Sequence, residues 1–159
     1  MKIISENLAG GTFVALAEKQ DAPLLKETED ICFDKSSWSL ETFLETLEND
    51  SYRIYLLCDS QTSKMMGYSV MCYCLDEADL ANIAVVPSMR KMGFGGALLD
   101  FILEESASLG VNAVYLEVRE SNDSARQLYS SRGFEEIGKR KKYYRYPTED
   151  AVLMVRKEQ

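Results

Sequence analysis

Glycine occupies three of the four positions 93–96, inside the segment NIAVVPSMRKMGFGGALL (82–99). An apolar, strand-like run precedes these glycines, and a long amphipathic run that is typical of a helix follows them. Glycine weakens a helix interior, but it lets a backbone turn sharply and lets a ligand come close. Free N–H groups at the start of a helix attract anions, and the helix dipole strengthens that attraction. The order strand, Arg90-x-x-Gly93-x-Gly95, helix therefore predicts a cradle for phosphate groups.

Two other phosphate-binding motifs do not fit these glycines. A P-loop requires a lysine and then a serine or threonine after its last glycine, and no such pair follows here. A dinucleotide fingerprint requires a glycine at the position of Leu98 and a βαβ repeat, which this chain lacks. Tight packing between strand and helix would explain any one glycine alone. The glycines together with Arg90 and Lys91 favour the cradle, because these residues add positive charge to an acidic chain.

A candidate general base is Glu117. The sequence contains no histidine, so Ser–His and Cys–His pairs are excluded and a base must be a carboxylate, lysine, tyrosine or water chain. Glu117 interrupts the apolar strand predicted over 113–118, on the face opposite its alternating apolar residues. Such a carboxylate either pairs with a cation, for which Arg119 is a candidate, or serves as a base. The residue pattern alone leaves both interpretations open.

The helix predicted over 122–132 carries two further residues of interest. Asn122 is expected to cap its start, because an asparagine side chain accepts hydrogen bonds from N–H groups of the first turn. Tyr129 follows seven residues later, about two helical turns on, and its periodicity alone is typical of a core aromatic. A buried tyrosine hydroxyl nevertheless needs a polar partner.

Composition narrows the class of protein. The chain has 159 residues, which predicts a single domain over 1–159. Its net charge is −8, which argues against nucleic-acid binding and leaves room for a cationic partner. No run of about eighteen apolar residues is present, and the first residues lack the apolar core of a signal peptide. The sequence therefore predicts a cytoplasmic protein without a membrane segment.

A metal site is not expected. The four cysteines form no CxxC pair, and no histidine is present to complete a zinc site. Cys72 and Cys74 lie two residues apart in a predicted strand and are expected to be buried free thiols.

Hydrophobic periodicity predicts an α/β domain with a mixed, mostly antiparallel sheet of about seven strands and about four helices. One helix is expected to cross between strands near the middle of the sheet. The strands are predicted over 12–17, 52–58, 65–75, 80–86, 113–118, 134–146 and 150–157, and the helices over 21–33, 39–50, from the glycines to 109, and over 122–132.

The pattern Q/R-x-x-G-x-G/A at a strand-to-helix junction is the signature of the GNAT superfamily of acetyl-CoA-dependent N-acetyltransferases, and this chain resembles that superfamily. NIAVVPSMRKMGFGGALL, YLEVRESNDSARQLYSSRGFEEIGKRKKYY, EDAVLM and CFDKSSWSLETFLETL are similar to segments of the bacterial ribosomal-protein alanine N-acetyltransferases, the RimI type. The resemblance covers about residues 12–157, while Val86, Ser88 and Met89 depart from the usual loop and residues 1–11 are unmatched.

The resemblance implies a GNAT fold whose strands splay apart at an acetyl-CoA site. It implies that the strand at 83–85 pairs with the pantetheine arm, as an added strand would, and that 91–96 wrap the pyrophosphate. It also implies that Glu117 is the base, directly or through water, and that Tyr129 protonates the leaving thiolate. The implied cofactor-binding residues are Ile83, Ala84, Val85, Arg90, Lys91, Met92, Gly93, Phe94, Gly95, Gly96 and Asn122.

The function implied is direct acetyl transfer to the N-terminal alanine of a basic protein, a small-subunit ribosomal protein, and a complex with other proteins is compatible with it. The alternatives are acetylation of a small amine and a non-catalytic acetyl-CoA-binding module. Aromatic residues beside carboxylates would suit a peptide N-terminus that is followed by basic residues. The residues considered for that acceptor surface are Tyr143, Tyr144, Tyr146, Glu149, Asp150, Asp76, Glu77 and Asp79.

Overall fold

The computed structural model describes residues 1–158, and over them the chain forms one sheet of eight strands with four α-helices. The strands are β1 (Lys2–Leu8), β2 (Thr12–Leu16), β3 (Tyr52–Asp59), β4 (Met65–Cys74), β5 (Glu77–Val85), β6 (Ala113–Arg119), β7 (Glu135–Tyr144) and β8 (Glu149–Lys157). The helices are α1 (Ala22–Cys32), α2 (Leu40–Glu48), α3 (Phe94–Ser108) and α4 (Asp123–Ser131).

The strand order is β1-β2-β3-β4-β5-β6-β8-β7. Every neighbouring pair is antiparallel except β5 and β6, which are parallel and are connected through α3. A parallel pair needs such a crossover, because its strands cannot be joined by a tight turn. The mixed, mostly antiparallel architecture predicted from the sequence is confirmed.

One strand more is present than the sequence analysis predicted. β1 lies within the first eleven residues and pairs antiparallel with β2, with two irregularities in register. None of its residues is buried, since it forms an edge of the sheet. It therefore lacks the alternation of buried and exposed residues on which strand prediction depends.

Two hydrophobic cores lie on opposite faces of the sheet. Side chains alternate between the faces along each strand, so that Val14 packs in one core while Phe13 and Ala15 pack in the other. The first core is closed by α3 and α4, and the second by α1 and α2. The sheet is thus a rigid layer that holds helix starts and strand ends in fixed positions.

β5 and β6 separate partway along their length. Their parallel pairing ends at Leu80 and Leu116. At the same point Ala81 is an extra residue in the pairing of β5 with β4, since Asn82 pairs with Val70 and Leu80 with Met71. Such a bulge bends the strand that contains it. β5 then continues along β4 alone, so that a gap opens beside β6, and the predicted splay is confirmed.

Three simpler expectations concern residues 1–158 as described. No helix among them is both long and apolar enough to cross a lipid bilayer. No group of three or more Cys, Asp or Glu side chains is arranged there to hold a metal ion. The cysteines are free thiols, but the expectation that Cys74 is buried is wrong. Cys74 is exposed and Cys72 is half-buried, because they lie at the end of β4, where its pairing with β3 ends at Cys72 and only β5 continues beside it.

Candidate active site

A cavity of about 240 Å³ lies at the gap between β5 and β6. Its walls are formed by those two strands, by α4 with its cap, and by the loop 33–39 between α1 and α2. The fold thus brings together six residues that the sequence analysis singled out in four separate segments. These cavity-lining residues are Ile83, Glu117, Arg119, Asn122, Tyr129 and Tyr144.

Glu117 stands on β6 with its side chain 24% exposed, and its neighbours Leu116 and Val118 are buried on the other face. The alternation predicted for this strand is confirmed. Its carboxylate forms an ion pair with Arg140 on β7, with Nε 3.1 Å from Oε1. The Tyr143 hydroxyl lies near it, and interaction with the Glu117 carboxylate raises the pKa of Tyr143. One face of the carboxylate is therefore held in place while the residue lines the cavity.

Arg119 is not the partner of Glu117. Its guanidinium binds Glu149 at 3.3 Å and donates to the carbonyl oxygens of Arg145 and Pro147. These contacts fix the turn between β7 and β8 beside the cavity. Glu117 therefore does pair with a cation, but that cation lies on β7, which is distant from β6 in sequence.

Tyr129 is 6% exposed and packs edge-to-face against Phe134, with ring centroids 5.8 Å apart. The core-aromatic interpretation is therefore correct for its ring. Its hydroxyl has no hydrogen-bond partner among residues 1–158, although the residue lines the cavity. Burial, with a smaller effect from Tyr144, raises the pKa of Tyr129 well above its usual range. The phenol is therefore protonated at neutral pH, as a proton donor must be.

The start of α3 presents a row of free backbone donors. Gly93 caps the helix with φ 88°, a left-handed conformation that glycine adopts without strain. The first hydrogen bond at this end runs from the Ala97 N–H to the Gly93 carbonyl. Over the described chain, no group accepts from the N–H groups of residues 91–96. This is the arrangement predicted for a phosphate cradle.

The side chains of the cradle segment, residues 90–96, make different contacts. Arg90 Nε donates to the Val85 carbonyl at 2.9 Å, so this arginine joins the turn to the end of β5. Lys91 has φ 61° and is exposed, as is Met92. Phe94 is buried in the core closed by α3 and α4. Both basic residues therefore keep their charge at the turn before α3, since the partners of Arg90 are neutral carbonyl groups.

The other predicted residues border the gap. Ile83, Ala84 and Val85 pair with β4 on one side only, and their opposite backbone edge has no strand partner beyond Leu80. Asn122 caps α4 as predicted, with Oδ1 accepting from the Ala125 N–H at 3.2 Å. Their contacts with a cofactor stay predictions.

Glu29 is a cavity-lining residue that the sequence analysis missed. It is 1% exposed, and its carboxylate accepts from the Trp38 N–H at 2.8 Å and from Asn82 Nδ2 at 3.4 Å. The Tyr68 hydroxyl donates to it as well. Burial raises the pKa of Glu29 despite these bonds. A signal was present in the sequence, because Glu29 continues the buried stripe of α1 that contains Ala22 and Leu25.

The family of the chain follows from these features together with its sequence. The chain matches the model of the acetyltransferase (GNAT) family over residues 17–134. The chain belongs to this family.

Named relatives extend the comparison. The chain is 40% identical over 121 residues to the [ribosomal protein bS18]-alanine N-acetyltransferase of Escherichia coli K12, covering 74% of this chain and 78% of that protein. The crystal structure of the E. coli ribosomal-protein-S18-alanine N-acetyltransferase has a TM-score of 0.85 and 34% identity, covering 92% and 93% of the two chains. A GNAT acetyltransferase from Elizabethkingia anophelis with acetyl-CoA bound shares the fold, with a TM-score of 0.77, 17% identity, and coverage of 94% and 99%.

Proposed function

We propose that this protein transfers the acetyl group of acetyl-CoA to the N-terminal α-amine of a ribosomal protein that begins with alanine. The observation that carries the proposal is the cavity at the β5–β6 gap, where a carboxylate and a protonated phenol line one space. The helix start with free N–H donors packs near Val85 of β5 and Leu128 of α4, which is the residue before Tyr129. The similarity to ribosomal-protein alanine acetyltransferases supports this choice of acceptor. Action on a ribosomal protein would place the enzyme in the cytoplasm.

Acetyl-CoA would supply an activated acyl group, and the protein's own groups fit its parts. The free N–H groups of 91–96 suit the pyrophosphate, and exposed Lys91 adds a positive charge. The edge of β5 at 83–85 has no strand partner, and apart from the Val85 carbonyl, which accepts from Arg90, it offers backbone groups to the amides of the pantetheine arm. Asn122 borders the same cavity at the start of α4.

Two proton movements accompany the transfer. The amine nitrogen attacks the thioester carbon and loses a proton to Glu117, directly or through a water molecule. The carbon–sulfur bond then breaks, and the Tyr129 hydroxyl donates its proton to the departing sulfur. No covalent acyl-enzyme is required, because the cavity-lining side chains include no thiol or serine paired with a base. Proton transfer later restores both groups.

Release of free thiol from acetyl-CoA separates the candidate functions. An alanine-led peptide, a polyamine and a blank reaction are compared at equal acetyl-CoA. Turnover with the peptide alone supports the proposal, and turnover with the polyamine alone favours a small-molecule acetyltransferase. Binding without turnover on either would indicate a non-catalytic module. N-terminal mass spectrometry of ribosomal proteins, from cells with and without this chain, then identifies the acceptor.

Gly95→Val should weaken acetyl-CoA binding while the fold is retained. A Cβ at Gly95 would meet Val85 Cγ2 at 3.7 Å and Leu128 Cδ2 at 4.0 Å, which are ordinary contacts. The added methyl groups would instead occupy space in front of the free N–H groups. Calorimetry measures the affinity, and Ala107→Val in the last turn of α3 controls for the lower helix propensity of valine. Unchanged affinity in a folded Gly95→Val protein would contradict the cradle.

The acceptor surface should show a charge preference that salt weakens. Glu149 and Asp150 are engaged with Arg119 and with the Lys142 N–H, and Asp76 and Glu77 accept from Asn112 and Tyr115. Asp79 remains as a partly exposed carboxylate near Glu117. Burial and the nearby Glu117 and Glu77 carboxylates raise the pKa of Asp79. A cationic acceptor would relieve this repulsion.

An alanine-led peptide with arginines behind it should therefore have a lower KM than its acidic counterpart, and the advantage should shrink as salt rises. Asp79→Asn should reduce the preference, whereas Glu104→Gln on α3 should leave it unchanged. A preference that salt does not alter would mean that shape rather than charge selects the peptide.

A further inference from the structure

Glu29 is a buried carboxylate on the cavity wall, and neither of the two proposed proton transfers involves it. Its three hydrogen-bond donors come from three different parts of the chain. Trp38 belongs to the loop 33–39, Tyr68 to β4, and Asn82 to β5 directly after the bulge. One carboxylate on α1 therefore connects the loop over the cavity with the strand that borders the gap.

The residue type at this position is informative. Glu29 lies on the buried stripe of α1, where an apolar side chain would avoid the cost of removing a carboxylate from water. A carboxylate is tolerated there because its oxygens receive several donors, and a leucine could not bind the Trp38 N–H. The bond to Trp38 spans nine residues, from the last turns of α1 to the far end of the loop. It therefore restrains the loop across almost its full length.

Asn82 completes the connection. Its Nδ2 lies 3.0 Å from the Tyr68 hydroxyl and 3.4 Å from Glu29. Asn82, Trp38 and Glu29 all line the cavity. A displacement of the Glu29 carboxylate would consequently affect two walls of the cavity at once.

We propose that Glu29 is a positioning residue that fixes the loop 33–39 against the splayed part of β5 and so shapes the acceptor side of the cavity. The expected effect on acceptor binding rests on the proposed function, whereas the expected effect on the loop does not. Phe33 and Trp38 of the same loop line the cavity. With the loop held, they form an apolar wall that suits a small apolar side chain on the residue that carries the reacting amine.

Hydrogen exchange of the free protein tests the structural consequence without any substrate. Glu29→Ala should speed exchange of the Trp38 amide by about tenfold or more, because a protected N–H loses its acceptor. Glu27→Gln removes a carboxylate from the exposed face of the same helix and should leave this amide unchanged. An equally protected Trp38 amide in Glu29→Ala overturns the proposal, whatever the enzyme acetylates.

Steady-state kinetics test the consequence for the acceptor. Glu29→Ala should raise the KM for an alanine-led peptide about tenfold, with kcat and acetyl-CoA affinity changed far less. Glu29→Gln retains a carbonyl oxygen for Trp38 and should recover most of the loss. A fall in kcat at saturating peptide, with KM unchanged, overturns the positioning role in favour of direct contact with the reacting amine. If the wild-type protein acetylates no peptide, the proposed function fails while the exchange result still decides this inference.

Tyr68→Phe covers the case in which Glu29→Ala does not fold. It removes one donor to the Glu29 carboxylate and keeps the buried ring, which packs edge-to-face against Phe43. Exchange of the Trp38 amide should become faster and the KM for the peptide should rise, each by a smaller factor than in Glu29→Ala. Wild-type values for both would overturn the proposal.

Discussion

Tyr129→Phe should lower the rate of acetyl transfer by about a hundredfold or more, the usual scale for loss of a general acid. The substitution removes only the hydroxyl, and the ring keeps its edge-to-face contact with Phe134. No group among residues 1–158 hydrogen-bonds that hydroxyl, so its removal leaves no protein group unsatisfied. The loss should therefore appear in kcat, with little change in acetyl-CoA affinity or in thermal stability.

Single-turnover measurements at saturating acetyl-CoA and peptide isolate the chemical step. Tyr52→Phe removes a hydroxyl on β3, outside the cavity, and should retain wild-type turnover. Because burial raises the pKa of Tyr129, loss of activity through its ionisation should occur only at strongly alkaline pH. Wild-type turnover of Tyr129→Phe, where chemistry limits the rate, would leave Tyr129 as a core aromatic alone.

Glu117→Gln should lower activity at pH 7 by about a hundredfold, and the loss should diminish as the pH rises. Glutamine keeps the shape of the side chain but cannot take the amine's proton. A peptide α-amine has a pKa of about 8, so at pH 9 most of the acceptor is already neutral and needs less help. The variant's rate should therefore rise more steeply with pH than the wild-type rate does.

Glu120→Gln provides the matched control, since Glu120 lies just beyond β6 and pairs with Lys139 rather than with a cavity residue. Its pH profile should coincide with that of the wild-type enzyme. Glu117→Gln also leaves Arg140 without its carboxylate partner, so a thermal melt should accompany the kinetics. A wild-type profile in a folded Glu117→Gln protein would assign the base to ordered water.

Features that depend on neighbours in sequence could be predicted well. The cap at Asn122, the start of α3 at the glycines and the alternation around Glu117 all appear where the residue pattern indicated them. Each rests on the geometry of a single helix start or strand, which a few consecutive residues determine. The cradle and its candidate residues were accessible from the sequence for this reason.

Other features depend on contacts between distant residues, and only the tertiary structure decided them. Arg140, rather than the adjacent Arg119, binds Glu117, because β8 lies between β6 and β7 and the side chains meet above it. β1 forms without a buried face, because pairing with β2 supplies its hydrogen bonds. Neither an ion pair between distant residues nor the pairing of an edge strand produces a periodic pattern of residue types, so a short stretch of sequence cannot predict either one.

The cavity shows most clearly which features the local sequence determines and which depend on tertiary contacts. The sequence by itself determined that Glu117 and Tyr129 lie on a strand and on a helix with types suited to proton transfer. That they line one cavity, with Glu29 beside them, follows from the bulge at Ala81 and from the packing of α1 against the sheet. A bulge is a mismatch between two paired strands, so it exists only once β4 and β5 have met, and the shape of this site is decided at that step.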